Sequence, residues 1–314
     1  IYLEKGRDKM KGLLDPKMDF VFKNIFGSEK HPNILISFLN ATLKPKDLIT
    51  EVEIKNTDLN KGYIEDKFSR LDVKATTSNN EIINIEIQLK NEYNMIKRSL
   101  YYWSKLYSEQ LNEGEDYSVL KRTICINILN FKYLKTRKFH SGYRLKEIYS
   151  NEELTNVAEI HFIEIPKLEE GSDEKDMLVA WIEFLKNPES EKVRSLEMSV
   201  EEIREAKDEL IKMSNDDTQR ELYEMRAKTL RDKISALNEA ERKGIKKGRE
   251  EGRKEGIEEG RKEGIEKGIK EGIEKGEKNK AMEIAKSLIN LGLDKEAISK
   301  STGLDLGEIE KLMN

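Results

Sequence analysis

The sequence predicts an α/β domain followed by an all-α carboxyl-terminal region. Two kinds of segment indicate the α/β part: short runs that alternate or are continuously apolar, as strands are, and longer stretches with apolar residues at helical spacing. Large apolar side chains are concentrated there, because both tryptophans precede Phe184 and no aromatic residue follows Tyr223. A core needs such side chains, so we expect the first roughly 190 residues to build one and the last roughly 90 to lack one.

Composition narrows the class of protein. Of the 314 residues, 38% are charged and 37% are hydrophobic, and the formal net charge is −4. Such a balance creates no global field that would attract nucleic acid. One cysteine, Cys125, and three scattered histidines exclude a disulfide framework and a Cys- or His-based metal site. No apolar run approaches the ~18 residues of a membrane span, and residues 1–11 lack the apolar region of a signal peptide, so we expect a cytoplasmic protein.

The predicted elements follow the order helix, three strands, helix, strand. Helical spacing covers residues 19–43, where Gly27 and Pro32 divide the run in two. The remaining elements of this order are predicted at 51–55, 69–76, 81–89, 95–111 and 123–129, with a further strand at 160–165. The later pattern is helical, with helices at 177–185, 198–213 and 219–237.

The carboxyl-terminal region contains a low-complexity repeat, residues 241–280, with glycine at every fourth position from Gly244 to Gly276. Nine interior glycines cost a helix on the order of 9 kcal/mol, which Glu–Lys pairs offset only in part, so a lone helix is expected to fray. A flexible charged linker is therefore one interpretation. The other is a stalk, in which the glycine stripe lets two copies approach and form a homo-oligomer.

The last residues, 281–314, have the pattern of a small helix-turn-helix-like module. The second helix of this module is richer in acid than in base, which favours contact with protein over contact with DNA. The predicted organisation is therefore a domain at 10–168, a helical region at 169–240, the repeat at 241–280 and this module.

Two predicted strands form a hairpin around residues 78–80. In a three-residue loop Asn80 can adopt the left-handed conformation, and residues whose numbers sum to 158 then face each other. Asp72 lies opposite Glu86 in this register, with Gln88 on the adjacent diagonal of the same polar face. Facing carboxylates repel unless a cation lies between them. Oxygen ligands with open positions suit Mg²⁺ or Mn²⁺, and the carbonyl of Ile87 is a candidate third ligand.

Simpler interpretations of these residues remain open. The polar strand face can be an ordinary solvated sheet surface. Asp15 and Asp19 precede a helix, so they are either caps or acids that support the site. Three cations, Lys23, Lys90 and Arg98, are candidate contacts to phosphate. A solvated side chain explains Lys23 better, and it explains Lys90 and Arg98 equally well.

The hairpin and its flanking elements resemble the PD-(D/E)xK nuclease core, and most closely the Rpn family of recombination-promoting nucleases, also described as transposases. The resemblance spans roughly residues 13–168 and rests on the segments Leu14–Gly27, Ser69–Ala75, Asn84–Gln88 and Arg98–Lys105.

The resemblance implies a restriction-endonuclease-like fold and a Mg²⁺-dependent DNA endonuclease of low sequence specificity, with Asp72 and Glu86 as metal ligands. It places Gln88 where the wider superfamily has lysine; this amide can orient water but supplies no charge. The alternative is a scaffold without catalytic activity that keeps the fold and oligomerises through its tail.

Overall fold

The computed structural model describes residues 12–55, 72–169, 171–172 and 175–313. The strands in these ranges are β1 Val52–Lys55, β2 Val73–Thr77, β3 Ile82–Gln88, β4 Thr123–Leu129, β5 His140–Lys146 and β6 Glu153–Glu164. The α-helices there are α1 Asp19–Phe26, α2 Pro32–Leu43, α3 Met95–Ser108, α4 Met177–Lys186, α5 Glu191–Glu197, α6 Glu201–Asn215, α7 Asp217–Asn290, α8 Lys295–Thr302 and α9 Leu306–Met313. Short 3₁₀ helices occupy Tyr117–Val119 and Ile165–Lys167. None of the described helices is both long and apolar enough to cross a membrane.

The strands form one mixed sheet in the order β1-β2-β3-β4-β6-β5. β1, β2 and β3 are antiparallel neighbours, β3, β4 and β6 run parallel, and β5 pairs antiparallel with β6 at one edge. The mixed α/β architecture is thus confirmed. The first predicted hairpin strand began at residue 69, and its part before Asp72 lies outside the described residues. β5 is not among the strands that the sequence predicts, because its side chains are largely exposed and lack an apolar alternation.

The hairpin of β2 and β3 has the register that the sequence predicts. Val73 lies opposite Ile85, and Ala75 lies opposite Ile83. Asn80 has a φ of 59°, which is the left-handed conformation that the short loop requires. Turn chemistry and strand alternation together therefore determine which side chains of the hairpin face each other.

The two faces of the sheet are both covered. One face carries the alternate apolar residues of β2, β3 and β4 and packs against α1, α2, α4 and α6 in the main core. The other face carries Asn84 and Glu86 and lies under α3, whose Tyr102 and Leu106 pack on Cys125. Asn84 is 2% exposed and Glu86 is 1% exposed. The interpretation as a solvated polar face is therefore wrong at these residues, because α3 excludes water from them.

The helices after the sheet belong to the same core. Trp181 of α4 is fully buried, and its ring centroid lies 5.3 Å from that of Phe26 on α1. Ile203 and Leu210 of α6 lie in the same cluster. The segment 169–240 therefore builds no separate core, and the first compact unit of the chain is Ile1–Ile234.

The glycine repeat lies in the second compact unit, Ser235–Asn314. α7 extends through the whole repeat, and the fraying expected from its glycine content stays a prediction. Ion pairs one helical turn apart support the helix, with Lys243 Nζ 2.8 Å from Glu239 Oε1 and Lys262 Nζ 3.1 Å from Glu258 Oε1.

The second unit also has a small core of its own, so the expectation that residues 241–314 lack one is wrong. Ala285, Ile298, Leu304 and Ile309 pack together and are buried. Gly303, with a φ of 72°, ends α8 and lets the chain turn into α9. Aliphatic residues are enough to form this core because it contains few side chains. The carboxyl-terminal end of α7, together with α8 and α9, surrounds it.

Candidate active site

The hairpin brings the two predicted carboxylates together. Asp72 immediately precedes β2, and continuing the β2–β3 register by one step places it opposite Glu86. The backbone N–H of Ile87 donates a hydrogen bond to Asp72 Oδ2, with a distance of 2.7 Å. This bond ties the Asp72 side chain to β3 beside Glu86. The backbone therefore orients one carboxylate relative to the other.

Glu86 is a buried acid. Within the described part of the chain, neither of its carboxylate oxygens has a hydrogen-bond partner at normal distance and angle. The nearest cation is on α3, where Arg98 Nε lies 3.5 Å from Glu86 Oε2. The Arg98 guanidinium also lies over the ring of Tyr102, 5.3 Å from its centroid. Buried carboxylates normally have hydrogen bonds to their oxygens, whereas Glu86 has only the ion pair with Arg98, so it is a candidate ligand.

The environment of Asp72 disfavours its charged form. Burial raises the pKa of Asp72 to about 7, although the hydrogen bond from the N–H of Ile87 lowers this pKa. The negative charge of Asp19 raises this pKa further, and the positive charges of Arg98 and Lys23 lower it. Asp72 is therefore only partly ionised near neutral pH in the metal-free protein.

The environment of Glu86 acts in the same direction. Burial raises the pKa of Glu86 to about 8, and the charge of Asp72 adds to this change. The charge of Arg98 and the side chain of Asn84 oppose it. Two adjacent carboxyls that both resist ionisation give up their protons more readily when a cation binds between them.

The donor set fits a small divalent cation. It consists of two carboxylates, one of which has no hydrogen bond to either oxygen, with the carbonyl of Ile87 as the candidate third ligand. Mg²⁺ and Mn²⁺ prefer oxygen ligands and keep several waters, so few protein ligands suffice. The described residues contain no group of three or more His, Cys, Asp or Glu that could hold a metal ion.

Gln88 ends β3 two residues after Glu86 and is half-buried. By strand alternation it lies on the same face as Glu86. Its backbone carbonyl accepts a hydrogen bond from the N–H of Asn130, with a distance of 2.9 Å. Lys90 follows two residues later and is also half-buried.

The remaining predicted residues occupy different places. Asp19 and Lys23 lie one turn apart on α1, and both influence the pKa of Asp72, so they flank the site. Asp19 Oδ2 is also 3.1 Å from Arg226 Nη1 of α7. Asp15 lies in the turn before α1, where its Oδ1 is 2.8 Å from Lys17 Nζ. No described contact links Asp15 to the hairpin.

Two residues near the site were not predicted as functional. Asn84 is buried on the Glu86 face, and its Oδ1 has no hydrogen-bond partner among the described residues. Its position two residues before Glu86 was the available signal, because strand alternation puts both on one face. Arg226 reaches Asp19 from more than 200 residues away, and no local pattern predicts such a contact.

The comparisons with known proteins agree with this geometry. Residues 16–240 match the family described as PD-(D/E)XK nuclease family transposase. Neither the curated proteins nor the solved structures gave a match to the chain. The match covers the hairpin, α3 and all the helices of the main core. The chain therefore belongs to the PD-(D/E)XK nuclease family of transposases.

Proposed function

We propose that this protein is a metal-dependent DNA endonuclease that hydrolyses phosphodiester bonds with low sequence specificity and acts in recombination, mobile-element or defence processes. The observation that carries the proposal is the Asp72–Glu86 pair, in which a half-buried Asp72 faces a buried Glu86 whose two carboxylate oxygens have no hydrogen-bond partner among the described residues. Burying one acid opposite another costs folding free energy. Membership of a nuclease family supports a catalytic reason for that cost.

The chain's own residues have distinct roles in this proposal. Asp72 and Glu86 would hold the divalent cation, and Ile87 contributes both the N–H that orients Asp72 and a carbonyl ligand. Such a cation, when bound, polarises the phosphodiester and lowers the pKa of water. Gln88 would orient the attacking water through its side-chain amide. Arg98 partly neutralises Glu86 and keeps its carboxylate in place under α3.

Low sequence specificity is supported by the terminal module. In α9, Glu308 and Glu310 outnumber Lys311, and two of these charges are already paired: Glu308 with Lys278 and Glu310 with Lys295. A helix that reads bases in the major groove needs an excess of positive charge near phosphate. This module is therefore a poor candidate for sequence recognition.

The test is nicking of supercoiled plasmid in MgCl₂ and in EDTA. Because Glu86 is buried, the isosteric substitutions Asp72→Asn and Glu86→Gln are preferred to alanine, which would leave a cavity. Glu53→Gln, an exposed acid on β1 of the same sheet, is the matched control. We expect nicking by the wild type and the control in MgCl₂ alone, and none by either site variant. A wild type without Mg²⁺-dependent nicking would leave the scaffold alternative in place. Site variants that nick at the wild-type rate would refute the assignment of Asp72 and Glu86 as the metal ligands.

A further inference from the structure

The loop between β4 and β5, residues 130–139, carries an unusual concentration of positive charge. Four cations, Lys132, Lys135, Arg137 and Lys138, lie within seven positions, and the loop contains no acid although the whole chain has a net charge of −4. All four side chains are exposed. Within the described part of the chain none of them belongs to an ion pair. Like charges so close together repel, so the loop needs a reason to keep them.

A buried ion pair holds the backbone of this loop in place. Glu164, at the end of β6, is fully buried and accepts hydrogen bonds from the N–H groups of Tyr133 and Leu134. Lys167 Nζ lies 2.5 Å from Glu164 Oε2 and donates to the carbonyls of Leu134 and Thr136, each at 2.7 Å. The four exposed cations therefore project from a backbone that is already ordered.

Apolar contacts complete the anchoring. Phe131, Tyr133 and Leu134 pack against a buried cluster of Met95, Leu129 and Phe162. The hydroxyl of Tyr133 accepts a hydrogen bond from the N–H of Ile96, at 3.4 Å, in the first turn of α3. The aromatic and aliphatic residues of the loop thus pack against the interior, and its cations are exposed to solvent.

This basic loop lies next to the candidate active site. It begins at Asn130, whose N–H donates to the carbonyl of Gln88 at 2.9 Å. β3, β4 and β6 are parallel, so their carboxyl-terminal ends all lie at the same end of the sheet as the start of this loop. The first turn of α3, which the loop contacts through Tyr133, also carries Arg98, the partner of Glu86.

We infer that residues 130–139 bind the phosphate backbone of duplex DNA and hold it against the Asp72–Glu86 site. The inference rests on the proposed function for the position of the scissile bond. Lysines act as point charges on phosphate, release condensed counterions when they bind, and read no sequence. The ordered backbone reduces the entropy lost on binding. A chain of net negative charge thereby acquires a local surface that fits a polyanion.

The experiment measures binding of a mixed-sequence 30-base-pair duplex to the full chain in EDTA, where Mg²⁺-dependent cleavage is absent, by fluorescence anisotropy across a salt series. The loop variant is Lys132→Gln, Lys135→Gln, Lys138→Gln. The control variant, Lys46→Gln, Lys121→Gln, Arg194→Gln, removes the same charge from other exposed positions of the first unit. We expect the loop variant to bind at least about tenfold more weakly and to reduce the slope of log K against log salt by about 2 to 3. The control variant should keep the wild-type slope.

Three outcomes separate the two ideas. Loop and control variants that bind alike overturn the inference, whether or not the wild type nicks plasmid. Loop-dependent binding by a wild type that never nicks supports the inference and counts against the proposed endonuclease. A wild type that does not bind the duplex, or whose loop-dependent binding is tighter for duplex RNA, also overturns the inference, since it commits to DNA.

Discussion

The substitution Glu86→Gln should change how the stability of the metal-free protein depends on pH. The pKa of Glu86 is about 8 in the folded protein against a usual value of 4.5. A raised pKa means that the folded state binds this proton more tightly than the unfolded chain does. The stabilising contribution is therefore complete below about pH 4.5 and is lost as pH rises through about 8.

The size of the effect follows from the same values. Each pKa unit corresponds to about 1.4 kcal/mol, so ionising Glu86 in the folded protein costs on the order of 4 kcal/mol by pH 8. Asp72, whose pKa is about 7, contributes in the same direction. The wild type should lose stability between pH 5 and 9, and Glu86→Gln, which cannot ionise, should lose less of it.

Urea unfolding in EDTA at pH 5, 7 and 9 measures this difference. The gap in unfolding free energy between Glu86→Gln and the wild type should move in favour of the variant by several kcal/mol from pH 5 to 9. Glu113→Gln, at an exposed loop acid, is the control and should run parallel to the wild type. If the Glu86→Gln and wild-type curves were parallel as well, the buried-acid explanation of the site would be wrong.

Three further predictions follow from the site, the tail and the core. Measured by initial rates, Gln88→Ala should slow plasmid nicking less than loss of either carboxylate does, and Gln88→Lys should retain nicking activity. Equal rates for Gln88→Ala and the wild type would contradict the role given to this amide. Deleting residues 241–314 should lower the number of chains per particle measured by light scattering if the repeat mediates self-association, and an unchanged number would leave the repeat a spacer. Phe26→Ala should cost about 3–5 kcal/mol in urea unfolding, because the fully buried Phe26 ring lies 4.5 Å from that of Phe22 and 5.3 Å from Trp181, whereas Tyr117→Ala, on the surface, should cost little.

The sequence alone was sufficient to predict the register of the two strands in the hairpin. Strand alternation and the left-handed Asn80 are local properties, and together they predicted the register that places Asp72 opposite Glu86. The continuous apolar run at Thr123–Leu129 likewise predicted a buried strand with the observed bounds. Each of these inferences depends on residues within a few positions of one another, where the physics of the backbone dominates.

The same local signals do not predict β5. An edge strand with exposed side chains has little apolar alternation, so its sequence resembles that of a loop.

Only the tertiary structure decided the chemical character of the site. A polar strand face is equally compatible with water and with a covering helix, and the position of α3 over Glu86 is what buries this acid and raises its pKa. The same packing brings Arg98 to Glu86, and the Glu164–Lys167 pair orders the basic loop beside Gln88. The pairing within the β2–β3 hairpin follows from short-range geometry that the sequence encodes locally. Burial and charge proximity depend on elements that meet only in the folded chain, so sequence patterns do not determine them.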